Sequence, residues 1–373
     1  MNEQGLSLVH VDSERDWRGG QAQVELLVRG LAQRGHRVTL VTPRGSRLAE
    51  RLAGAPIEIV ADSPRHEWDF RAGLRLRRIV RERNADLIHA HSALSHALVA
   101  WLSWGGPKAR PIAVSRRVDF PISNWFSRLK YRHPDCWYLA ISTAVRDVLI
   151  RGGVAADRIF LAPSGVDPAK FTYQTDRPAA RRALGVAADE FLVCNIGALT
   201  DHKDHATLIR AAQSAIAQAP QLRFVVLGEG ELRPALEAQI AQGGLGDRFR
   251  LLGFRSDVEA CLAASDLFVL SSHMEGLCTS LLDAMLLGLP IVATRAGGVR
   301  DIVVEGETGL LAEPRQSAAL ADAIVRMMRD GELRARLAAA GRHRVRERFT
   351  IERTLELTLA AYQEIIRRFN TSP

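Results

Sequence analysis

The stretch at 271–285 joins a predicted strand to a predicted helix and carries two carboxylates, Glu275 and Asp283. The helix begins near Thr279, so its first N–H groups and its dipole favour an anion such as a phosphate. Glu275 would repel a phosphate and is expected to face neutral hydroxyl groups, which Asp283 could also bind. The pattern indicates a sugar nucleotide. The plainer alternative is that neither carboxylate binds a ligand. Glu275 would then be an acid at the start of a helix, and Asp283 a solvated acid on that helix.

A lysine after another predicted strand is the second candidate for anion chemistry. The strand at 191–198 contains Gly197, and Lys203 follows six residues later at the start of a helix. A lysine there can meet a phosphate as a point charge. The competing interpretation is a metal site, with Asp201, His202, Asp204 and His205 as possible ligands. Because the ammonium group would repel a cation, we expect no metal here and expect Asp201 to cap the helix.

Two glycines after the first predicted strand are the third candidate. Gly19 and Gly20 lie between the strand at 6–11 and a helix predicted over 21–33. Such residues let backbone N–H groups approach an anion, although a plain turn is the commoner explanation. The G-x-G-x-x-G spacing of a dinucleotide site is absent, which disfavours NAD binding.

Alternating strands and helices position these residues. Short apolar runs alternate with amphipathic helical patterns, which predicts two α/β domains with parallel sheets and a boundary near 165–180. The predicted strands are 6–11, 36–42, 57–61, 86–91, 111–115, 136–142, 191–198, 222–230, 249–254, 266–272 and 290–296. A helical pattern over 351–369 ends the chain. Ligands of such sheets bind beyond the carboxyl ends of the strands, where all three candidates lie.

The composition is that of a globular protein with an uneven charge. The 373 residues fit two domains, and 47% apolar residues suffice for their cores. Four separated cysteines indicate reduced thiols, and we recognise neither a signal peptide nor an apolar run of about 20 residues, which predicts a cytoplasmic protein. Residues 1–167 carry 25 Lys and Arg against 17 Asp and Glu, which is the whole net charge of +8. Such a half could attract nucleic acid, an anionic membrane or an acidic substrate.

Four motifs in order resemble those of the retaining glycosyltransferases of family 4, over about residues 5–370. They are RGGQAQVELLVRGLAQRGHRVTLVT (18–42), SGVDPAKF (164–171), GALTDHKDHATLIRA (197–211) and MEGLCTSLLDAMLLGLPIVATRAGGVRDIVVEGETGLL (274–311). The resemblance implies the GT-B fold, in which two Rossmann-like, doubly wound parallel-sheet domains face each other across a cleft. It implies an acceptor-side domain over 1–168, a nucleotide-sugar-binding domain over 169–350, and a helix over 351–373 that returns to the first domain.

The resemblance also implies a role for each matching residue. Lys203 would neutralise the leaving diphosphate, Glu275 would hold the donor sugar, and Asp283 would hold the ribose. The implied donor-binding residues are Gly19, Gly20, Ala198, Arg255, Leu277, Cys278, Thr279 and Asp283, and the catalytic residues are Lys203, Glu275 and Arg117. No metal or other cofactor would be required, because positive side chains and N–H dipoles stabilise the departing charge.

The chain departs from the family pattern at four places. They are Asp283 for the usual Glu, Ala198 for a frequent Arg, Cys278 for a common Gly, and Arg116–Arg117 where a His is frequent. Arginine stays protonated and cannot serve as a base, so we expect Arg117 to supply the positive charge that Ala198 lacks. His91 and Arg116 are weaker candidates for contacts with the sugar or the acceptor, and a structural role is the alternative for His91.

Two basic segments suggest a membrane surface. Residues 65–83 contain seven arginines, and residues 123–138 interleave Trp125, Phe126 and Tyr131 with Arg128, Lys130 and Arg132. Such segments can rest on anionic lipid, and a solvated surface is the alternative. We expect a glycan or glycolipid acceptor, as in lipopolysaccharide or other cell-envelope synthesis, with peripheral contact to the anionic inner membrane and no nucleic-acid partner. A GT-B nucleotide-sugar epimerase, an NAD-dependent oxidoreductase and a non-catalytic nucleotide-binding module are the alternative functions.

Overall fold

The computed structural model describes residues 5–64, 66–67, 69–102, 110–122, 125–171 and 176–371, with the backbone alone at 101–102 and 125–126. The chain divides into two units. Unit 1 comprises Met1–Gly165 and Ile351–Pro373, and unit 2 comprises Val166–Thr350.

Seven parallel strands form the sheet in the described part of unit 1. They are β1 (Ser7–Val11), β2 (Arg37–Thr42), β3 (Glu58–Ala61), β4 (Leu87–Ala90), β5 (Ile112–Arg116), β6 (Cys136–Ala140) and β7 (Ile159–Leu161). Their order across the sheet is β3-β2-β1-β4-β5-β6-β7. Every residue of β1, β4 and β6 is buried. Burial on both faces is typical of parallel strands and explains why their sequences are almost continuously apolar.

Helices connect these strands and bury one apolar stripe each. They are α1 (Gly19–Gln33), α2 (Arg47–Arg51), α3 (Phe70–Glu82), α4 (Ala93–Leu102), α5 (Trp125–Tyr131) and α6 (Thr143–Arg151). In α1 the stripe consists of Val24, Leu27, Val28 and Leu31, which are all buried. Their spacing of three and four residues keeps them on one face of the helix, so α1 packs on the sheet.

Unit 2 repeats the design with six described parallel strands. They are β8 (Phe191–Ile196), β9 (Leu222–Leu227), β10 (Phe249–Gly253), β11 (Leu267–Leu270), β12 (Ile291–Thr294) and β13 (Leu310–Ala312), in the order β10-β9-β8-β11-β12-β13. The helices are α7 (Arg177–Ala183), α8 (His205–Gln218), α9 (Arg233–Gln242), α10 (Val258–Ala264), α11 (Thr279–Leu286), α12 (Val299–Ile302), α13 (Ser317–Arg329) and α14 (Gly331–Arg348).

The last helix, α15 (Ile351–Thr371), belongs to unit 1. It buries Leu355, Tyr362 and Ile365 in the core of that unit. At Gly30 in α1, an added Cβ would lie 2.3 Å from Leu355 Cδ1, so the glycine permits the close approach of α1 and α15. The final helix therefore completes the core of the unit that the first 165 residues begin.

The strand order reverses once in each sheet. In unit 1 the chain places β2 and β3 on one side of β1 and then crosses to β4 on the other side. In unit 2 the same reversal separates β8 from β11. The loops after the two central strands diverge at such a point and leave room for a ligand beyond the strand ends. These two points are where functional residues are expected.

Strand positions largely agree with the sequence predictions, which extend one to three residues too far at several ends. The predicted strand at 86–91 is β4 (Leu87–Ala90), so His91 lies just beyond it. Strands β7 and β13 were not predicted. The helix predicted over 21–33 begins earlier, and Gly19 and Gly20 form its first turn rather than a separate loop.

None of the helices in the described ranges is both long and apolar enough to cross a bilayer.

Gly228, directly after β9, allows the loop after β8 to pack closely. Its φ of 145° lies in a region that side chains other than glycine rarely adopt, and an added Cβ would lie 2.0 Å from the Gly197 carbonyl oxygen. The neighbouring contact is Gly197 N donating to the Leu227 carbonyl at 2.9 Å. A side chain at Gly228 would therefore displace the loop that leads to Lys203.

We predict that Gly228→Ala lowers the free energy of unfolding by about 3 kcal/mol, through backbone strain and the clash together. Gly306→Ala is the matched control, because Gly306 has a φ of 70° and open space around its missing Cβ. The control should lose about 1 kcal/mol from backbone strain alone. Urea unfolding measures both values, and equal losses would show that the contact with Gly197 is unimportant.

Candidate functional site

Lys203 and Glu275 form an ion pair at the reversal point of unit 2. The Lys203 Nζ lies 2.5 Å from a Glu275 carboxylate oxygen, and the two side chains are only 15% and 11% exposed. Lys203 follows β8 and Glu275 follows β11, which are adjacent strands. The Ser272 hydroxyl donates to the same Glu275 oxygen at 3.2 Å. The structure thus brings together the two charged residues that the sequence placed 72 positions apart.

Short-range geometry holds Lys203 in place. It ends a 3-10 turn over Asp201–Lys203, and its carbonyl accepts from the Ser271 hydroxyl at 2.9 Å. The next residue, Asp204, is left-handed with φ 49° and accepts from Thr207 N as the cap of α8. The prediction that Asp201 caps this helix is therefore wrong, because the 3-10 turn shifts the helix start by one turn.

The four residues considered as metal ligands near Lys203 do not converge on one point. Asp201 lies 3.1 Å from His273 and is 90% exposed. His205 is buried and shares a hydrogen bond of 3.0 Å with Asn195, whose amide donates to the Val269 carbonyl at 2.8 Å. Burial lowers the pKa of His205 to about 4, with a further contribution from the positive charge of Lys203. Asn195 thus joins β8 to β11, and the neutral His205 side chain at the start of α8 holds Asn195 in place.

The start of α11 presents backbone N–H groups beside this pair. Cys278 is the residue that precedes the helix, and its side chain caps none of these groups. Leu277 and Cys278 are buried at 7% and 3% exposure, so their side chains pack inward. The Ser280 hydroxyl donates to the Ile196 carbonyl at 3.2 Å, which ties α11 to the end of β8. The first N–H groups of a helix lack intrahelical acceptors, so those of 277–279 are suited to an anion.

Asp283 lies one turn further along α11 and is paired with Lys170. The Lys170 Nζ is 2.6 Å from Asp283 Oδ2. The other oxygen, Oδ1, is buried and has no hydrogen-bond partner among the described residues. Burial raises the pKa of Asp283, and the ammonium group of Lys170 acts in the opposite direction. The sequence analysis placed Lys170 in the linker motif and assigned it no role.

Two further predicted donor residues lie at neighbouring strand ends. Ala198, after β8, is exposed, and its carbonyl accepts from Thr200 N at 2.8 Å. Arg255, after β10, makes a bidentate pair with Asp257, with Nε 2.7 Å from the carboxylate. Phe254 beside it is 81% exposed. The predicted donor-binding role of Arg255 stays a prediction, and a nucleotide at this position would compete with Asp257 for the guanidinium.

A second group of predicted residues meets inside unit 1. Arg117 Nη1 donates to the His91 carbonyl at 3.2 Å, and Nη2 donates to His91 Nδ1 at 3.3 Å. A Cβ added to Gly20 would lie 3.9 Å from Arg117 Cδ, so the first turn of α1 passes next to this arginine. Burial lowers the pKa of Arg117, while the charge of Asp12 opposes this. The structure brings together Arg117, His91 and Gly20 at the reversal point of this sheet.

Arg117 determines the tautomers of two buried histidines. Because His91 Nδ1 accepts from Arg117, the neutral His91 ring must carry its proton on Nε2. That nitrogen lies 2.9 Å from His10 Nδ1, so His10 accepts and carries its own proton on Nε2. His10 Nε2 is buried without a partner in the described structure. Burial lowers the pKa of His10 to about 3 and that of His91 well below its usual value, so both rings are neutral at pH 7.

His89 connects this cluster to the last helix. Its Nδ1 lies 2.5 Å from the Tyr362 hydroxyl on α15, and its Nε2 lies 2.8 Å from the Ser115 hydroxyl. His10, His89 and His91 are also the group of three in the described part of the chain whose ligand atoms all lie within 4.8 Å of one another. The Arg117 guanidinium beside His91 opposes a second cation there. Sequence analysis missed His10 and Tyr362, because nothing local marks partners 81 and 273 residues away.

Arg116 has a different environment from Arg117. It is 7% exposed, its guanidinium donates to the Tyr131 hydroxyl and the Phe120 carbonyl, and it stacks 5.0 Å from the Tyr131 ring. These contacts give Arg116 a packing role between β5 and α5. Its predicted contact with substrate stays a prediction.

Comparisons with known proteins agree with this arrangement. Residues 17–170 match the model of Glycosyltransferase Family 4, and residues 176–344 match that of Glycosyl transferases group 1. The D-inositol 3-phosphate glycosyltransferase of Corynebacterium urealyticum is 30% identical over 308 residues, which are 75% of this chain and 72% of that protein. The lipopolysaccharide core biosynthesis glycosyltransferase LpsE of Rhizobium meliloti is 29% identical over 332 residues, 87% of this chain and 90% of that protein. For the alpha-D-kanosaminyltransferase of Streptomyces kanamyceticus, at 29% identity, the match spans 61% of this chain and 60% of that protein.

The fold also matches solved structures. Anabaena HepE in complex with UDP-glucose has a TM-score of 0.81 at 24% identity, over 98% of this chain and 100% of that one. Two parallel sheets of this order, with this likeness, show the GT-B fold. The matches to both family models and to the Corynebacterium enzyme show that the chain belongs to glycosyltransferase family 4.

The buried histidines predict a pH-dependent stability. The pKa of histidine is about 6.5 in an unfolded chain, and that of folded His10 is about 3. The unfolded chain therefore binds this proton more readily, so stability is full above about pH 6.5 and falls as the pH decreases, by up to about 1.4 kcal/mol per pH unit for each such histidine.

We expect His10→Gln to show a shallower loss of melting temperature between pH 7 and pH 5 than the wild type. His343→Gln is the control, because His343 is exposed. A melting temperature of His10→Gln that falls as steeply as that of the wild type would contradict the role assigned to His10.

Proposed function

We propose that this enzyme transfers a sugar from a nucleotide-sugar donor to a hydroxyl acceptor with retention of anomeric configuration. The observation that carries the proposal is the Lys203–Glu275 ion pair at the reversal point of unit 2. The HepE complexes with UDP and UDP-glucose support a nucleotide-sugar donor. Membership in a transferase family favours this reaction over the epimerase, the oxidoreductase and the non-catalytic module.

In the proposed reaction the donor separates the ion pair. The Lys203 ammonium turns to the β-phosphate, where negative charge grows as the bond to the sugar breaks. Glu275 then accepts hydrogen bonds from hydroxyl groups of the donor sugar. The N–H groups of 277–279 bind the same diphosphate, and their dipole needs no reorganisation during the reaction. These groups supply the positive charge that a metal ion supplies in other transferases, so we propose a metal-independent reaction.

Arg117 is the proposed source of positive charge that Ala198 cannot provide. The His91 carbonyl and ring nitrogen hold the guanidinium in one orientation. A cation fixed in advance stabilises developing negative charge more effectively than a mobile one. We propose Arg117 as a contributor to turnover, with His91 as its positioning residue.

The proposed acceptor is an anionic glycan or glycolipid of the cell envelope, such as a lipopolysaccharide core. The likeness to LpsE over 90% of that protein supports this choice. The charge distribution supports it as well, since residues 1–167 hold the whole net charge of +8. A basic unit attracts an acidic acceptor through long-range electrostatics.

Helix α3 is the proposed contact with the cytoplasmic face of the inner membrane. It exposes Phe70 at 59% and Leu74 at 67%, and Arg71, Arg77 and Arg81 accompany them on the same helix. An anionic lipid surface offers both the apolar layer and the negative charge that such a helix requires.

The segment at 123–138 contributes less than its sequence predicted. The Lys130 side chain is only 7% exposed and lies 3.6 Å from Glu67, and Tyr131 packs on Arg116. The side chains of Trp125 and Phe126 and the residues Arg65 and Trp68 lie outside the described residues. The proposed membrane contact therefore rests on α3.

We predict that UDP, GDP or ADP, alone or as a sugar conjugate, raises the melting temperature, since specific binding stabilises the folded state. Lys203→Met should lose this shift and reduce turnover about 100-fold or more. Arg223→Met is the matched control, because it removes a cation from an ion pair with Glu190 at the opposite, amino-terminal edge of the same sheet. If no nucleotide shifts the wild type, or if Lys203→Met retains full turnover, the proposed function fails.

We also predict that the protein sediments with vesicles containing phosphatidylglycerol and that this binding weakens between about 0.1 M and 1 M salt. The double variant Leu74→Ser/Arg77→Gln should bind less, whereas Phe254→Ser, which removes an exposed apolar side chain from unit 2, should bind as the wild type does. Equal binding to neutral vesicles, or binding that high salt leaves unchanged, would contradict the electrostatic contact.

A further inference from the structure

A layer of polar side chains lies on one face of the sheet in unit 1. Side chains alternate between the two faces of a strand, so His89 and His91 share a face. His10 of β1 pairs with His89 of β4 in register and lies on that face as well. Ser115 and Arg117 follow the β5 residue that pairs with His89 by two and four positions, so they join the same face. Hydrogen bonds within the layer agree with this arrangement.

Tyr362 closes the layer from the last helix, α15. Its side chain is fully buried in the core of unit 1, and its hydroxyl lies 2.5 Å from His89 Nδ1. Burial raises the pKa of Tyr362 well above its usual value, although the positive charge of Arg117 acts in the opposite direction, so the hydroxyl keeps its proton. A phenylalanine would fill the same space. The feature that distinguishes tyrosine here is therefore the hydrogen bond to His89.

Two hydroxyl groups fix the ring of His89. Tyr362 contacts Nδ1, and the Ser115 hydroxyl lies 2.8 Å from Nε2. Because a hydroxyl can donate or accept, either neutral tautomer of His89 finds a partner for both nitrogens. Burial lowers the pKa of His89 well below its usual value, so the ring is uncharged. Rotation of this ring would leave buried polar groups unpaired, which is unfavourable.

The fixed ring of His89 supports that of His91. Their centroids are 4.0 Å apart, and the His10 ring lies nearly parallel to that of His91 at 5.2 Å. Packing against two rings determines the direction in which His91 Nδ1 points, and this nitrogen accepts from Arg117. Ser115 also precedes Arg117 by two residues, so its bond to His89 holds the end of β5. The position of the guanidinium thus depends on His89 in two ways.

We propose that Tyr362 is a positioning residue for Arg117, which it holds in place through His89. Without the hydroxyl, His89 Nδ1 loses its partner, the ring can turn, and the guanidinium gains freedom to move. Helix α15 then belongs to the functional site of unit 1 as well as to its core. This inference rests on the proposed role of Arg117 in the sugar transfer.

The first test compares two variants that each remove one buried hydroxyl from unit 1. Tyr362→Phe is the test, and Tyr138→Phe is the matched control, because Tyr138 is also fully buried and donates to the Tyr131 carbonyl at 3.0 Å. Turnover is the release of nucleoside diphosphate from the UDP-, GDP- or ADP-linked sugar that most raises the melting temperature of the wild type.

We expect Tyr362→Phe to lower kcat about tenfold, since a misplacement of about 1 Å that originates away from the reacting atoms can cost up to about 100-fold. The KM for the donor should change less than about twofold, because Arg117 is proposed to act on the charge that develops during the reaction. Tyr138→Phe should keep the kcat of the wild type even where its melting temperature falls. Equal losses of kcat in both variants would overturn the inference, because the effect would then be one of stability.

Combination with Arg117→Ala tests whether the effect passes through Arg117. Residues that act through one another have non-additive effects, so Tyr362→Phe should not slow the Arg117→Ala enzyme any further. The same fold reduction in both backgrounds would mean that Tyr362 acts independently of Arg117, and the inference would be wrong.

Nitrogen-15 NMR of histidine-labelled protein gives a result that does not depend on activity. Tyr362→Phe should shift the ring nitrogens of His89 and also those of His91. Tyr138→Phe should leave both in place and shift His96, whose Nε2 lies 3.5 Å from the Tyr138 hydroxyl. Unchanged His91 signals in Tyr362→Phe would show that the contact ends at His89.

The remaining outcomes separate this inference from the proposed function. If Arg117→Ala loses turnover and Tyr362→Phe keeps it, this inference alone fails. If Arg117→Ala keeps full turnover, the proposed role of Arg117 fails and the inference fails with it. If the wild type releases no nucleoside diphosphate from any of these donors, the proposed function itself fails. Ser115→Ala, which removes the other partner of His89, replaces Tyr362→Phe in each comparison if that variant does not fold.

Discussion

The reversal of strand order in each sheet is the constraint on which both functional groups depend. Because all described strands are parallel, every carboxyl end lies on the same edge of its sheet. In the sheet of unit 2, the loops that follow two adjacent strands diverge only after β8 and β11. These two loops carry Lys203 and Glu275. The same reversal between β1 and β4 places Gly20 beside His91 and Arg117. The topology therefore determines where the candidate site residues lie before any single residue is considered.

Each of the two carboxylates of the candidate site in unit 2, Glu275 and Asp283, is neutralised by a lysine. Lys203 lies on Glu275 and Lys170 lies on Asp283, at 2.5 Å and 2.6 Å. A partly buried carboxylate without a cation would cost several kcal/mol, so the pairs keep the folded state stable without a ligand. A nucleotide sugar offers a phosphate to one cation and hydroxyls to both acids, so it can replace each lost contact. The residues that recognise the proposed donor would thus also stabilise the empty site.

The sequence predicted features whose cause is local or periodic, and it missed those that depend on distant partners. Buried parallel strands are continuously apolar, so eleven strand positions could be predicted, whereas β7 and β13 have three residues each and too little pattern. Lys203 and Glu275 could be found because strand ends of this fold converge. The cap of α8 was assigned to Asp201, since a 3-10 turn before Asp204 leaves no mark in composition. Lys170 escaped notice because its partner is 113 residues away.

The tautomers in unit 1 limit what its histidines can do. Arg117 always donates, so His91 Nδ1 must accept, and the proton of His91 is committed to His10. Protonation of His91 would place a second positive charge 3.3 Å from Arg117, which burial and the neighbouring charges disfavour. Neither histidine is therefore available to remove a proton from a substrate at neutral pH. The proposed retaining transfer, in which fixed cations stabilise the leaving diphosphate, requires no base at this position, so the proposed role of the neutral histidines is to orient Arg117 rather than to exchange protons.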